Sequence, residues 1–224
     1  MHDALNDIDL IIYDLDGTLI DSAPDLALAV DDMLQTMNLA PAGVDRVRDW
    51  VGNGSRRLVE RALEHSGAFN ADGAGSEQVD EALALFMDAY ARHPVSRTYC
   101  YPGVIECLKA QQARGISQAL VTNKPSRFIE PILDAMGLEG FFSHTLGGDS
   151  LPQKKPDPAP LAHVARALDI APQRVLMIGD SRSDVQAARA FGCRCLAVTY
   201  GYNHGEPIAA LNPDHLLDSL EELV

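Results

Sequence analysis

Four cysteines in 224 residues, no internal repeat, no low-complexity tract and few basic side chains are the first features of this sequence. Each scarcity excludes something. Cys100, Cys107, Cys193 and Cys195 form no Cys-x-x-Cys pattern, and a chain of this length needs no disulfide staple, so buried or inert thiols are expected. The apolar run nearest the start, Leu10 to Tyr13, follows Asp3, Asp7 and Asp9, and is too short and too acidic at its start for a secretory signal. No segment approaches the roughly 18 apolar residues of a membrane span. Lys and Arg number 18 against 32 Asp and Glu, a formal net charge of -14. Neutralising nucleic-acid phosphates takes a surplus of basic residues, and a peripheral membrane binder needs a basic amphipathic face. A soluble, unprocessed, cytoplasmic protein without nucleic-acid or membrane partners is therefore expected.

What is present is a chain long enough for one large domain, or for a core with a smaller insertion. Ile8 to Ile20, an apolar and β-branched run ending in Asp, Gly and Thr, predicts a strand buried on both faces with a turn at its carboxyl end. The period then becomes helical. Asp21 or Ser22 can cap, Pro24 suits a first turn, and Leu26, Val30, Met33, Leu34 and Met37 recur every three or four residues. Further helices are predicted from Ser55 to Leu63 and from Ser76 to Tyr90. From Tyr101 onward helical and strand patterns alternate, with strands over Ser117 to Thr122, near His144 to Leu146, over Val175 to Ile178 and over Cys195 to Val198. Such alternation predicts a doubly wound α/β fold with a mostly parallel sheet. The predicted division is an α/β core of residues 1–20 and 96–224, with an inserted all-helical unit of residues 21–95.

Ligands of open α/β sheets bind outside the carboxyl ends of the strands. The first strand ends Asp14, Leu15, Asp16, Gly17, Thr18. Positions i and i+2 share a strand face, and two carboxylates that close need a cation between them or a proton on one. Taken alone, the same letters also make a solvated turn. The second strand ends Thr122, Asn123, Lys124, where a hydroxyl, an amide and backbone N–H groups could receive an anion or merely cap a helix. Next come Lys154, Lys155 and Pro156. The proline fixes the backbone of Lys155, which is the better candidate for reaching a phosphoryl oxygen. A fourth strand ends Gly179 and Asp180, with Asp184 at the start of the following helix, where it could also simply complement the dipole.

Carboxylates, a lysine and a hydroxyl at four strand ends suit a hard cation such as Mg2+, which takes oxygen ligands and completes its shell with substrate phosphate. The ordered set DLDGT at 14–18, Thr122, Lys155 before Pro156, and GDSRSD at 179–184 resembles the haloacid dehalogenase superfamily, in its phosphatase branch. The resemblance implies that Asp14 attacks phosphorus to give an aspartyl-phosphate, while Asp16 protonates the leaving alcohol and later activates water. It implies that Thr122, Asn123 and Lys155 hold the phosphoryl oxygens. It also implies that Mg2+ is held by Asp14, the Asp16 main-chain carbonyl and Asp180, with Asp184 orienting waters or Lys155. Dehalogenases lack the second aspartate of the first motif, so Asp16 argues for phosphatase chemistry.

The helical insertion resembles the family's mobile cap. Within it Gly52, Asn53, Gly54 and Arg56 can form a loop that contacts the leaving group, or a plain glycine-capped helix end. VGNG at 51–54, DSAPDL at 21–26 and KKPDPAPL at 154–161 most resemble the bacterial phosphoglycolate phosphatases, which implies 2-phosphoglycolate as substrate. Other small phosphate esters, a mutase like β-phosphoglucomutase, and a non-enzymatic phosphoacceptor module are the alternatives. Tyr200 to His204 read as a loop at the same sheet end, or as lining of the entrance. The remaining histidines show no metal spacing.

Overall fold

A computed structural model describes residues 3–67 and 75–224. The first strand, β1 (Leu10–Tyr13), is apolar throughout and shows no solvent exposure. It is followed by a two-residue strand, β2 (Ile20–Asp21), and four helices: α1 (Ala23–Thr36), α2 (Val44–Trp50), α3 (Ser55–His65) and α4 (Ser76–Arg92). The chain returns through β3 (Tyr99–Cys100), then continues α5 (Val104–Ala113), β4 (Ser117–Val121), α6 (Ile129–Ala135) and β5 (His144–Leu146). It closes with α7 (Ala159–Ala167), β6 (Val175–Gly179), α8 (Arg182–Phe191), β7 (Arg194–Val198) and β8 (His215–Leu217).

Six strands form one parallel sheet in the order β5-β4-β1-β6-β7-β8. Successive side chains of a strand point to opposite faces, and the two layers of core follow that rule. Leu10 and Ile12 pack with α7 and α8 on one face. Ile11 and Tyr13 pack with α5 and α6 on the other, in an apolar cluster that continues into helices α1, α3 and α4.

The strand expected over Ile8 to Ile20 is shorter than its apolar letters suggest. Gly17 turns the chain with φ +85°, and Ile20 and Asp21 leave the main sheet to pair antiparallel with Cys100 and Tyr99. The two chain crossings between sheet and helices are thus joined by their own small ladder. Helix α2 and strand β8, neither expected, are short elements that each bury one residue, Val47 and Leu217. Among the described residues no helix is long and apolar enough to cross a membrane.

Candidate active site

Strand β1 stops where Asp14 begins, and the carboxyl ends of β1, β4 and β6 bring three polar groups of residues together. Asp14 and Asp16 follow β1, Thr122, Asn123 and Lys124 follow β4, and Asp180 follows β6. The loop before α7 adds Lys155, joined to Pro156 by a cis peptide bond. Asp14, Asp180, Asp184 and Lys155 are all buried.

One carboxylate oxygen from each of Asp14, Asp180 and Asp184 lies within 4.8 Å of the others. Lys155 Nζ sits 2.9 Å from Asp14 Oδ1 and donates to Asp184 Oδ1 at 2.6 Å. Asp184 is fully subscribed, because its Oδ2 also accepts from the Ser181 hydroxyl at 2.7 Å and the Ser181 N–H at 3.0 Å. It therefore both caps α8 and aims Lys155, which joins two roles the sequence left as alternatives. Asp180 accepts from the Thr18 hydroxyl at 3.1 Å and the Tyr202 N–H at 2.5 Å. Asp14 Oδ1 has no well-oriented donor, and Lys155 supplies its charge contact.

The electrostatics follow from this shortage. Burial pushes the Asp14 carboxyl up to about 6, against the pull of Lys155 and with added repulsion from Asp184 and Asp16. Burial, then Asp184 and Asp14, pushes Asp180 well above the carboxylate range. With all three carboxylates ionised, one ammonium would leave two negative charges uncompensated, a deficit that a divalent cation with oxygen ligands would fill. The buried, under-donated Asp14 and the spare lone pairs of Asp180 fit such an ion.

Three glycines make the packing possible. A Cβ on Gly17 or Gly201 would collide with the Asp180 carboxylate, and one on Gly179 with that of Asp184. Gly17 also requires its positive φ. Beside this cluster, Asp16 Oδ1 accepts from Lys124 Nζ at 2.9 Å and from the Ser22 hydroxyl at 2.5 Å.

The helices cover the crevice and leave a cavity of 40 Å³ lined by Asp14, Thr122, Asn123 and Lys124 on the sheet side and by Val51, Gly52, Gly54, Ser55 and Leu58 on the other, with Leu26 between. The 51–54 loop is held to the sheet. Asn123 Nδ2 donates to Gly52 O at 3.1 Å and to Lys155 O at 3.0 Å. Lys154 Nζ donates to Asn53 O at 3.0 Å, which gives the neighbouring lysine a different task from Lys155. Asn53 is consumed by this clamp, since its amide donates to Ser183 Oγ and its carbonyl oxygen accepts from Arg61. Arg56, expected at the leaving group, stands outside the cavity: it is exposed and ion-paired with Asp80 of α4. An exposed carboxylate on the neighbouring helix captures it.

Sequence reasoning passed over Lys124, Ser22, Thr18 and Tyr202. Lys124 and Thr18 stood inside the quoted strand-end motifs, so the same rule could have flagged them. Tyr202 stood in the loop already placed at this sheet end, but nothing local marked it as a partner of Asp180. Its N–H serves Asp180 while its hydroxyl, 2.5 Å from Asp21, serves the start of the helical segment.

A parallel sheet carrying a buried acidic centre at its carboxyl edge, closed over by helices, defines an enzyme with a catalytic crevice suited to a cation. The model of the haloacid dehalogenase-like hydrolases matches residues 8–192, and the chain belongs to that family. It is 52% identical over 216 residues to phosphoglycolate phosphatase 1 of Pseudomonas aeruginosa, covering 96% of this chain and 78% of that protein. The phosphoglycolate phosphatase of Psychrobacter arcticus is 49% identical over 97% of this chain and 95% of its own. A crystal structure of a predicted phosphoglycolate phosphatase from Haemophilus somnus superposes with TM-score 0.92 at 37% identity, covering 97% of both chains. These relationships place the chain among the phosphoric monoester hydrolases.

Proposed function

We propose that this enzyme hydrolyses 2-phosphoglycolate to glycolate and phosphate through an aspartyl-phosphate on Asp14. The observation that carries the reading is the Asp14 carboxylate itself: buried, lining the cavity, short of hydrogen-bond donors and facing Lys155. An oxygen of Asp14 attacks phosphorus as the bond to the leaving oxygen breaks, and Asp16 delivers a proton to that oxygen. In the second half Asp16 takes a proton from water, the water oxygen bonds to phosphorus, and the Asp14–phosphorus bond breaks to release phosphate. Thr122, the Asn123 N–H and Lys155 bind the phosphoryl oxygens. Asp184 holds Lys155 in place for this task.

Mg2+ would be held by Asp14, the Asp16 main-chain carbonyl and Asp180, with Asp184 beside them, and when bound it supplies charge stabilisation for the transferring phosphoryl group. Residues 21–95 act as a cap over a core of residues 1–20 and 96–224, excluding water while Asp14 attacks. A cytoplasmic setting suits the four unpaired thiols.

The test is phosphate release from 2-phosphoglycolate by purified protein with Mg2+. Release that disappears with Asp14→Asn supports the reading; no release, or release untouched by that substitution, overturns it. A mutase would convert β-glucose 1-phosphate to an isomer without freeing phosphate, and the same assay with that sugar distinguishes it.

A further inference from the structure

We infer that Lys124 selects substrates bearing a second anionic group, so that a phosphate ester with a carboxylate on its leaving side is preferred to a neutral ester of equal size. The inference rests on the phosphatase reading above and concerns only what the leaving group must carry. Lys124 is a buried ammonium, 5% exposed, lining the cavity. Its backbone is fixed at the end of β4, where its N–H donates to Thr122 Oγ1 at 3.2 Å. An ammonium has three protons to give. One goes to Asp16 Oδ1, an oxygen that already accepts from Ser22, and Nζ lies 4.8 Å from the centre of the Tyr90 ring, over the face of α4's aromatic side chain. The Asp16 oxygen and the Tyr90 side chain leave part of that donor capacity over.

The other cations near the cavity are committed elsewhere. Lys155 spans Asp14 and Asp184, Lys154 holds Asn53 O, Arg61 holds Trp50 O and Asn53, and Arg56 is drawn off by Asp80. On the helical side the lining is apolar, from Val51 and Leu58, except where α3 begins at Gly54 and Ser55 with no side chain capping its first N–H groups. A helix start carries partial positive charge, which adds to that of Lys124. Beside Lys124, whose charge is shared with Asp16, the cavity thus offers an anion the remaining N–H donors of an ammonium and one helix dipole.

The experiment compares kcat/KM of the Mg2+-loaded enzyme for 2-phosphoglycolate and for 2-hydroxyethyl phosphate, which keeps the phosphate and the size but not the carboxylate. A preference of roughly 10- to 100-fold is expected, the range of a charge-assisted hydrogen bond. Lys124→Met should bring the ratio to within a few-fold of one; the loss of Asp16's partner should lower kcat for both esters alike and so cancel in the ratio. A ratio read on one sample does not depend on how much of the variant folds. If the variant does not fold at all, wild-type enzyme with 2-aminoethyl phosphate decides: the ammonium ester should be at least tenfold poorer than the hydroxyl ester. Hydrolysis of all three esters at similar efficiency, or a carboxylate preference that survives Lys124→Met, overturns the role of Lys124 and leaves the phosphatase reading standing. No phosphate from any ester overturns both.

Discussion

Asp14 and Asp21 lie seven residues apart, both buried, yet their surroundings are opposite. Asp21 accepts two bonds from the Arg48 guanidinium at 3.1 and 2.9 Å, one from each of the Tyr202 and Tyr99 hydroxyls at 2.5 and 3.0 Å, and one from the Ala23 N–H at 3.2 Å. Asp25, one turn further, takes the N–H groups of Arg97 and Thr98 and the Thr98 hydroxyl. These two carboxylates fasten the helical segment to the returning chain. Asp14 has a single ammonium, and its neighbours Asp180 and Asp184 add repulsion. Burial of an acid is common to both regions, so burial alone does not mark chemistry. A shortage of donors does, because the free energy withheld there is available to a cation or a phosphoryl group.

The sharpest way to break this comparison is to neutralise one acid in each region. Asp14→Asn should lower kcat/KM by at least about 10⁴-fold, the scale for loss of a covalent nucleophile, while leaving the melting temperature of the metal-free protein unchanged or higher, since a strained buried charge has gone. Asp21→Asn should do the reverse. It removes the acceptor of a charged, partly buried pair and should cost about 1–3 kcal/mol of stability, with kcat/KM falling less than tenfold. Thermal melts and steady-state rates on both variants decide the matter. If Asp14→Asn melts as low as Asp21→Asn, the two regions are not built on different principles.

pH sharpens the contrast further. For Asp21, burial acts to raise the pKa, but the bonds from Arg48, Tyr202 and Tyr99 outweigh it and hold the carboxyl below its ordinary range. A depressed acid stabilises above its unfolded value of about 3.9 and loses that contribution as pH falls through the folded value, so this clamp should weaken only below about pH 4. Asp14 has the opposite sign. Raised to about 6 by burial, it favours the fold below the unfolded value and loses that advantage as pH rises toward 6. Metal-free protein should therefore lose stability between about pH 4 and pH 6, and the gain in melting temperature on adding Mg2+ should be larger at pH 7.5 than at pH 5. A gain that is flat across that range would show that Asp14 does not take part in holding the ion.

The sheet and the carboxyl-edge residues were legible because both are written in local pattern. Fully buried strands are continuous apolar runs, and the rule that ligands meet strand ends then singles out Asp14, Asp16, Thr122 and Asp180 without any knowledge of what lies opposite. What depended on pairing across the chain was not legible. Tyr202 reaches Asp21 over 181 residues and Arg48 reaches it over 27, with no spacing to announce either. Helix α2 escaped because VDRVRDW buries Val47 alone and so presents no stripe. The β2–β3 ladder escaped because two-residue strands have no period.

Arg56 tests the same lesson at its weakest setting. A basic residue after a glycine loop in the helical segment looks like a hand for the leaving group, and a residue in that role would raise KM severalfold when removed. In the structure its guanidinium meets Asp80, with side chains 49% and 58% exposed. Exposed pairs of this kind contribute about 0–1 kcal/mol, because water screens the charges and both side chains give up rotamer freedom. Arg56→Ala should accordingly change the folding equilibrium by less than about fivefold and kcat/KM for 2-phosphoglycolate by less than about twofold, measured by denaturant unfolding and by phosphate release. A tenfold rise in KM would mean that the pair with Asp80 opens when substrate binds. The arginine would then join Lys124 at the leaving group, and the cavity would have two cations where the resting geometry commits one.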